Sequence, residues 1–138
     1  MHGAEPSPTA ALALADGTVF LGRGLGSAGL HVGELVFNTA VTGYQEILTD
    51  PSYAGQIVTF TFPHVGNVGA NFEDLEATTP VARGMVVRAD VTAPSSWRAA
   101  QPLARWLEAQ GIGALAGVDT RRITRILRER GAQNAALL

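Results

Sequence analysis

The stretch Gln56–Phe62 (QIVTFTF) constrains the fold more than any other part of the chain. Val58, Phe60 and Phe62 fall on one side of an extended backbone and Ile57, Thr59 and Thr61 on the other, which is the period of a strand. Its β-branched and aromatic residues suit a pleated, packed surface. Upstream, Ala10–Ala15 and Thr18–Arg23 flank Asp16-Gly17, the dipeptide of a tight hairpin turn. Glu34–Thr39 is a further short strand. Gly22–Gly33 holds five glycines in twelve residues and reads as loop or bulge. Downstream, Arg83–Ala89 predicts a strand buried around Met85–Val87, and Ile112–Gly117 a small-residue strand or turn.

Two helices complete the outline. Pro102–Gln110 places Leu103, Trp106 and Leu107 at i, i+3 and i+4, with Gly111 to end it. Asp119–Arg130 is the best helix: Asp119 is placed as N-cap, Ile123, Ile126 and Leu127 make one apolar stripe, and Gly131 follows as the terminating glycine. Arg121, Arg125 and Arg128 cluster opposite that stripe, as a solvated face or, alternatively, a partner-binding ridge. Gly43–Leu48 suits a helical turn that Asp50-Pro51 stops, since a residue before proline disfavours helix. Met1–Thr9 reads as a loose leader, and Ala135–Leu138 as a starting strand. The sum is one mixed α/β domain over residues 10–138, packed as two small sheets and a helical layer.

Composition narrows the chemistry. The 138 residues include no Cys and no Lys, which removes thiolate nucleophiles, Cys-based zinc sites, Schiff-base lysines and the lysine-bearing phosphate loop. Net charge is −2, with −4 on residues 1–69 and +2 on residues 70–138, so no general affinity for nucleic acid or an anionic membrane follows. Without a run of about 18 apolar residues or a signal-like start, a cytoplasmic protein is expected.

Three motifs have bland explanations. Gly24-Leu-Gly26-Ser-Ala-Gly29 matches a dinucleotide fingerprint with Glu46 beyond it, but the next residues read as loop and strand, whereas that mechanism needs a helix N-terminus. Ser52, His64 and Asp50 supply the residue types of a nucleophilic triad, yet Asp-Pro-Ser-Tyr is foremost a turn whose serine bonds local backbone. Glu73, Asp74 and Glu76 lack further oxygen ligands at recognisable spacing, so a solvated acidic face is expected and no metal site. What stands out is the connection from Asn38 to Tyr53. Its Asn38, Thr39, Thr42, Tyr44, Gln45, Glu46, Thr49, Asp50, Ser52 and Tyr53 give a polar density that suits a binding surface or a tightly bonded turn.

That connection carries a resemblance. FNTAVTGYQEILTDPSYAGQIVTFTFPHVGNVGAN (Phe37–Asn71) resembles the signature region of the small, glutamine-using subunit of carbamoyl phosphate synthetase. The likeness extends over Leu12–Thr39, Arg83–Ala89, Ser95–Ala99 and Gly111–Leu138, with Ala40-Val41 where the family has Ser-Met. The resemblance implies a swivelling β/β/α domain of three layers that precedes a glutamine amidotransferase domain. It also implies a large subunit that uses ATP and Mg to make carbamoyl phosphate from bicarbonate and the released ammonia, for pyrimidine and arginine synthesis. No cofactor is expected in this chain. Without Cys it cannot form the glutamyl thioester, so no catalytic residue is expected in it, and the isolated N-terminal domain is expected to be inactive. By the Asp-Pro-Ser-Tyr match, Ser52 is expected to hydrogen-bond glutamine, with Tyr44, Gln45, Asp50 and Tyr53 shaping that site or an inter-domain face. Arg121, Arg125 and Arg128 become a candidate subunit contact. The alternative is a stand-alone binding module of the same fold.

Overall fold

The computed structural model describes residues 8–39, 47–61, 82–89 and 94–138. Tyr44, Gln45, Glu46, His64, the acidic trio Glu73, Asp74 and Glu76, and most of the leader lie outside the described residues.

The expected hairpin forms. β1 (Ala10–Leu14) pairs antiparallel with β2 (Val19–Gly26), placing Leu12 opposite Phe20. In the turn, the Gly17 amide donates to the Leu14 carbonyl at 2.9 Å, and Gly17 takes φ +95°, a conformation that costs glycine little. β2 runs further than the glycine count suggested. Gly22, Gly24 and Gly26 belong to the strand, because a Cβ at Gly22 would meet the Ala116 carbonyl oxygen and one at Gly26 would lie 2.5 Å from the Ile112 oxygen. Gly22 and Gly26 let the strand approach its neighbour; the loop proper is only residues 27–30.

Next come β3 (His31–Asn38), a 3-10 turn (Pro51–Tyr53), β4 (Gln56–Phe60) and β5 (Gly84–Val86). They are followed by α1 (Pro94–Gln110), β6 (Gly113–Ala116), α2 (Thr120–Arg130) and β7 (Gln133–Leu137). α1 begins eight residues before the predicted start and carries Pro102 inside it.

The strands join in the order β1-β2-β6-β5-β4-β3-β7 and close into one barrel. β3, β4, β5 and β6 are parallel to one another, while β1, β2 and β7 enter antiparallel. This corrects the expectation of two small sheets. β7 pairs with β1 on one side and β3 on the other, and β2 pairs with β6, so no edge remains at which two sheets could part.

The alternation read from Gln56–Phe62 explains the two cores. Ile57 joins Leu12, Phe20, Leu35, Val86, Leu115 and Leu137, a cluster drawn from all seven strands and therefore the barrel interior. Ile123 and Leu127 of α2 belong to the same cluster, so the apolar stripe of that helix stops one mouth of the barrel. Val58, Phe60, Met85, Ala114 and Ala116 point outward into a second cluster with Leu103, Trp106 and Leu107 of α1. Strands buried on both faces are what a parallel segment backed by a helix requires.

Among the described residues no helix covers the rest of the outer wall. Val19 opposes Ala13, Ala13 opposes Ala136, and Ala136 opposes Val32, making one apolar row across four strands. Leu21 opposes Ala11, whose backbone exchanges two hydrogen bonds with Leu138, making a second row that Leu30 adjoins. Val19, Leu21, Leu30, Val32 and Leu138 are 52–62% exposed. Below the rows the wall turns polar, where the Gln56 amide donates to Glu34 at 2.9 Å.

Candidate functional site

The Asp50–Gly55 turn is built by its own residues. Asp50 stands before Pro51 with extended backbone (φ −74°, ψ 126°), and its Oδ1 accepts the Ser52 amide at 2.9 Å. Pro51 supplies the fixed φ of a first helical position and has no amide to leave unpaired. The Tyr53 amide then donates to the Asp50 carbonyl at 2.9 Å, and Gly55 at φ +74° turns the chain into β4. The Ser52 amide, and after it the Ser52 hydroxyl, hold the Asp50 carboxyl below the usual carboxylate range. Ser52 itself is exposed.

Tyr53 anchors the turn. Its ring packs on the outer core, and its hydroxyl accepts a hydrogen bond from Asn38 Nδ2 at 2.8 Å. The turn therefore hangs between the end of β3 and the start of β4. Gly33 makes this close approach possible, since a Cβ there would strike the Gly55 carbonyl oxygen. The structure thus brings Asp50, Ser52 and Tyr53 together. It does so through an Asx turn, with Asp50 spent on backbone and hydroxyl of Ser52.

The three arginines lie elsewhere. Asp119 caps α2 by accepting the Arg122 amide at 3.1 Å, and the Gly131 amide closes the other end on the Leu127 carbonyl at 2.8 Å. Arg121, Arg125 and Arg128 are exposed, as expected, and line a cleft of about 540 Å³ between α2 and the ends of β3 and β4, where Thr39 and Thr61 contribute. Arg128 lies 5.3 Å from the Phe37 ring centroid and Arg122 5.1 Å from that of Phe20. Thr39 was named within the polar connection, whereas Thr61 was read only as a strand residue; the signal for this cleft was position, each standing just past the last residue of a parallel strand.

The glycine motif resolves into the end of β2 and a turn, lining a smaller cleft of about 240 Å³ with His31. His31 Nε2 lies 3.1 Å from the Ser27 carbonyl, and no helix begins there. Among the described residues no group of three His, Cys, Asp or Glu could hold a metal ion, and no helix is long and apolar enough to cross a membrane.

A closed mixed α/β barrel, stopped by one helix and backed by another, with a formed polar turn at its rim, is the class of domain the described residues define. Residues 12–137 match the family described as carbamoyl-phosphate synthase small chain, CPSase domain, and the chain belongs to that family. It is similar to the carbamoyl phosphate synthase small chains of Brucella canis, Brucella suis and Brucella melitensis. Each is 64% identical over 133 residues, a match that covers 94% of this chain and 33% of the relative. The chain therefore spans about a third of the length of these relatives.

Proposed function

We propose that this chain is the docking domain of a glutamine-hydrolysing carbamoyl phosphate synthase. It holds the amidotransferase part of the small subunit and the large subunit together while contributing Ser52 to the glutamine site. The observation that carries the reading is the apolar wall, which no described helix covers. Val19 and Leu21 of β2, Val32 of β3 and the flanking Leu30 and Leu138 are large aliphatic side chains more than half exposed, the kind of feature that marks an interaction surface. Family membership supplies the partners. The holoenzyme uses ATP and Mg on the large subunit and makes carbamoyl phosphate for pyrimidine and arginine synthesis. The chain's own part is assembly, since with no Cys it cannot form a glutamyl thioester.

Ser52 suits a contact of the hydrogen-bonding kind. It is exposed on a turn fixed by Asp50, Pro51 and Tyr53, and the carboxylate beside its hydroxyl, Asp50, is already spent on the Ser52 amide. Tyr53 and Asp50 hold the turn.

The test is assembly with the large subunit. In the complete small subunit, Leu21→Asp with Val32→Asp abolishes complex formation in size-exclusion chromatography and leaves the barrel's circular dichroism unchanged. In the same background, Ser52→Ala raises KM for glutamine and leaves ammonia-dependent synthesis intact. A doubly substituted subunit that still assembles overturns the docking surface, and an unchanged KM removes Ser52 from the site. A stand-alone binding module predicts instead that the 138-residue chain stays monomeric at rising concentration and never captures a large subunit.

A further inference from the structure

The cleft beneath α2 has the character of a ligand site that the docking reading does not use. Arg121, Arg125 and Arg128 occupy one face of the helix at i, i+4 and i+7, and all three line the same concavity of about 540 Å³. That volume lies within the range of small-molecule pockets. Among the described lining residues three guanidiniums stand with a single carboxylate, Glu129, in a chain whose overall charge is −2. The opposite wall offers Thr39 and Thr61 at the ends of adjacent parallel strands.

Helix stability does not account for these arginines. Arg128 sits in the last turn, where a cation complements the helix dipole, and stacks on Phe37. Arg121 sits in the first turn, where the dipole favours an acid and no acid is present. Arg125 stands four residues before Glu129, yet the two form no ion pair. Among the described residues the ion pair present joins Arg130 to Asp16 instead, at 2.9 Å. Among the described residues Arg121 and Arg125 thus make no ion pair. Guanidinium forks of this kind match carboxylate and phosphate oxygens two at a time.

We propose that this cleft binds a compact polyanion, a small molecule bearing phosphate or carboxylate groups, with Arg121 and Arg125 as its charged ligands and Arg128 held in place by Phe37. The concave shape favours a compact ligand over a flat protein surface, and the hydroxyls of Thr39 and Thr61 add uncharged donors at the far wall. The site stands independently of the apolar wall, so either reading can fail alone.

The test is titration of the 138-residue chain with pyrophosphate and, separately, with citrate, by isothermal calorimetry at constant ionic strength. Saturable binding of at least one is expected, weakening at least tenfold in Arg125→Ala and in Arg121→Ala. Arg125→Lys should retain part of it, because charge survives and the fork does not. Arg98→Ala, on exposed α1 outside the cleft, should bind like the parent. Preference for pyrophosphate marks a phosphate-bearing ligand and preference for citrate a carboxylate-bearing one. Matching thermal midpoints exclude misfolding of the variants. The proposal is overturned if neither anion saturates, if Arg98→Ala weakens binding as much as Arg125→Ala, or if an oligoglutamate peptide binds more tightly than both.

Discussion

Replacing Gly33 with alanine puts a methyl group where β3 and the turn after Tyr53 come closest. The added carbon would strike the Gly55 carbonyl oxygen and lie 3.3 Å from the carbonyl carbon, with the Gln56 Cα at 3.6 Å. All three atoms are backbone, so no side chain can swing away. The pair Glu34–Gln56 is the next rung of the β3–β4 ladder, and relief of the clash must open it. Overpacking of this kind costs about 1–3 kcal/mol. Alanine recovers roughly 0.5–1 kcal/mol of the chain entropy that glycine loses in a strand. The net destabilisation is therefore about 1–2 kcal/mol, or on the order of 5 °C in Tm for a domain of this size. Urea denaturation of the 138-residue chain, followed by circular dichroism, measures it directly. Gly24→Ala is the matched control: its nearest neighbour is the Ala10 Cβ at 3.1 Å, at the first residue of β1, with no backbone atom closer than 3.9 Å, and the expected change is within about 0.5 kcal/mol. If Gly33→Ala unfolds at the parental midpoint while Gly24→Ala unfolds earlier, the close approach of the turn to β3 is refuted.

Three other outcomes follow from the same geometry. Asp119→Ala removes the cap of α2 and should cost about 1 kcal/mol in urea denaturation. Tyr53→Phe deletes the acceptor for Asn38 and should cost about 1 kcal/mol, with slower proteolysis of the Asp50–Gly55 turn arguing against the anchor. Asp16 has its carboxyl held below the usual range, first by the Thr18 amide and also by Gln133 and Arg130. Its folded pKa is thus depressed, so its contribution is present above about pH 4 and disappears as pH falls through the folded value. Asp16→Asn should flatten the loss of Tm between about pH 5 and pH 2, and an unaltered acid limb would exclude this role.

Local signals carried much of the fold. Asp16-Gly17 marked the hairpin, QIVTFTF announced its two faces, and Asp119 and Gly131 bounded α2, because each depends on residues within a turn or two. Barrel closure was not legible. It depends on pairings such as Leu12 with Leu137 and Leu35 with Gln133, and no local periodicity encodes which strand lies beside which. The glycines at 22, 24 and 26 misled for a related reason: as a run they look like loop, and the backbone oxygens of Ala116 and Ile112, distant in sequence, are what explain Gly22 and Gly26. At the candidate site, Asp-Pro-Ser-Tyr was readable as a turn, whereas its tie to Asn38 required the parallel pairing of β3 and β4. The start of α1 was missed because Pro102 reads as a first helical residue, and here it lies within the helix.

Because β7 lies between β1 and β3, the barrel is completed by a strand made long after its neighbours. A ribosome that has released β1 through β6 has produced two strands with unpaired inner flanks and an interior lacking Leu137. Such an intermediate exposes bonding edges of the sort that recruit other chains. Closure also seats Ala136 and Leu138 on the outer wall, so the apolar rows come into existence only with the final pairing. Synthesis thus fixes an order of events in which the apolar rows mature last, and an incompletely translated barrel has no finished outer wall.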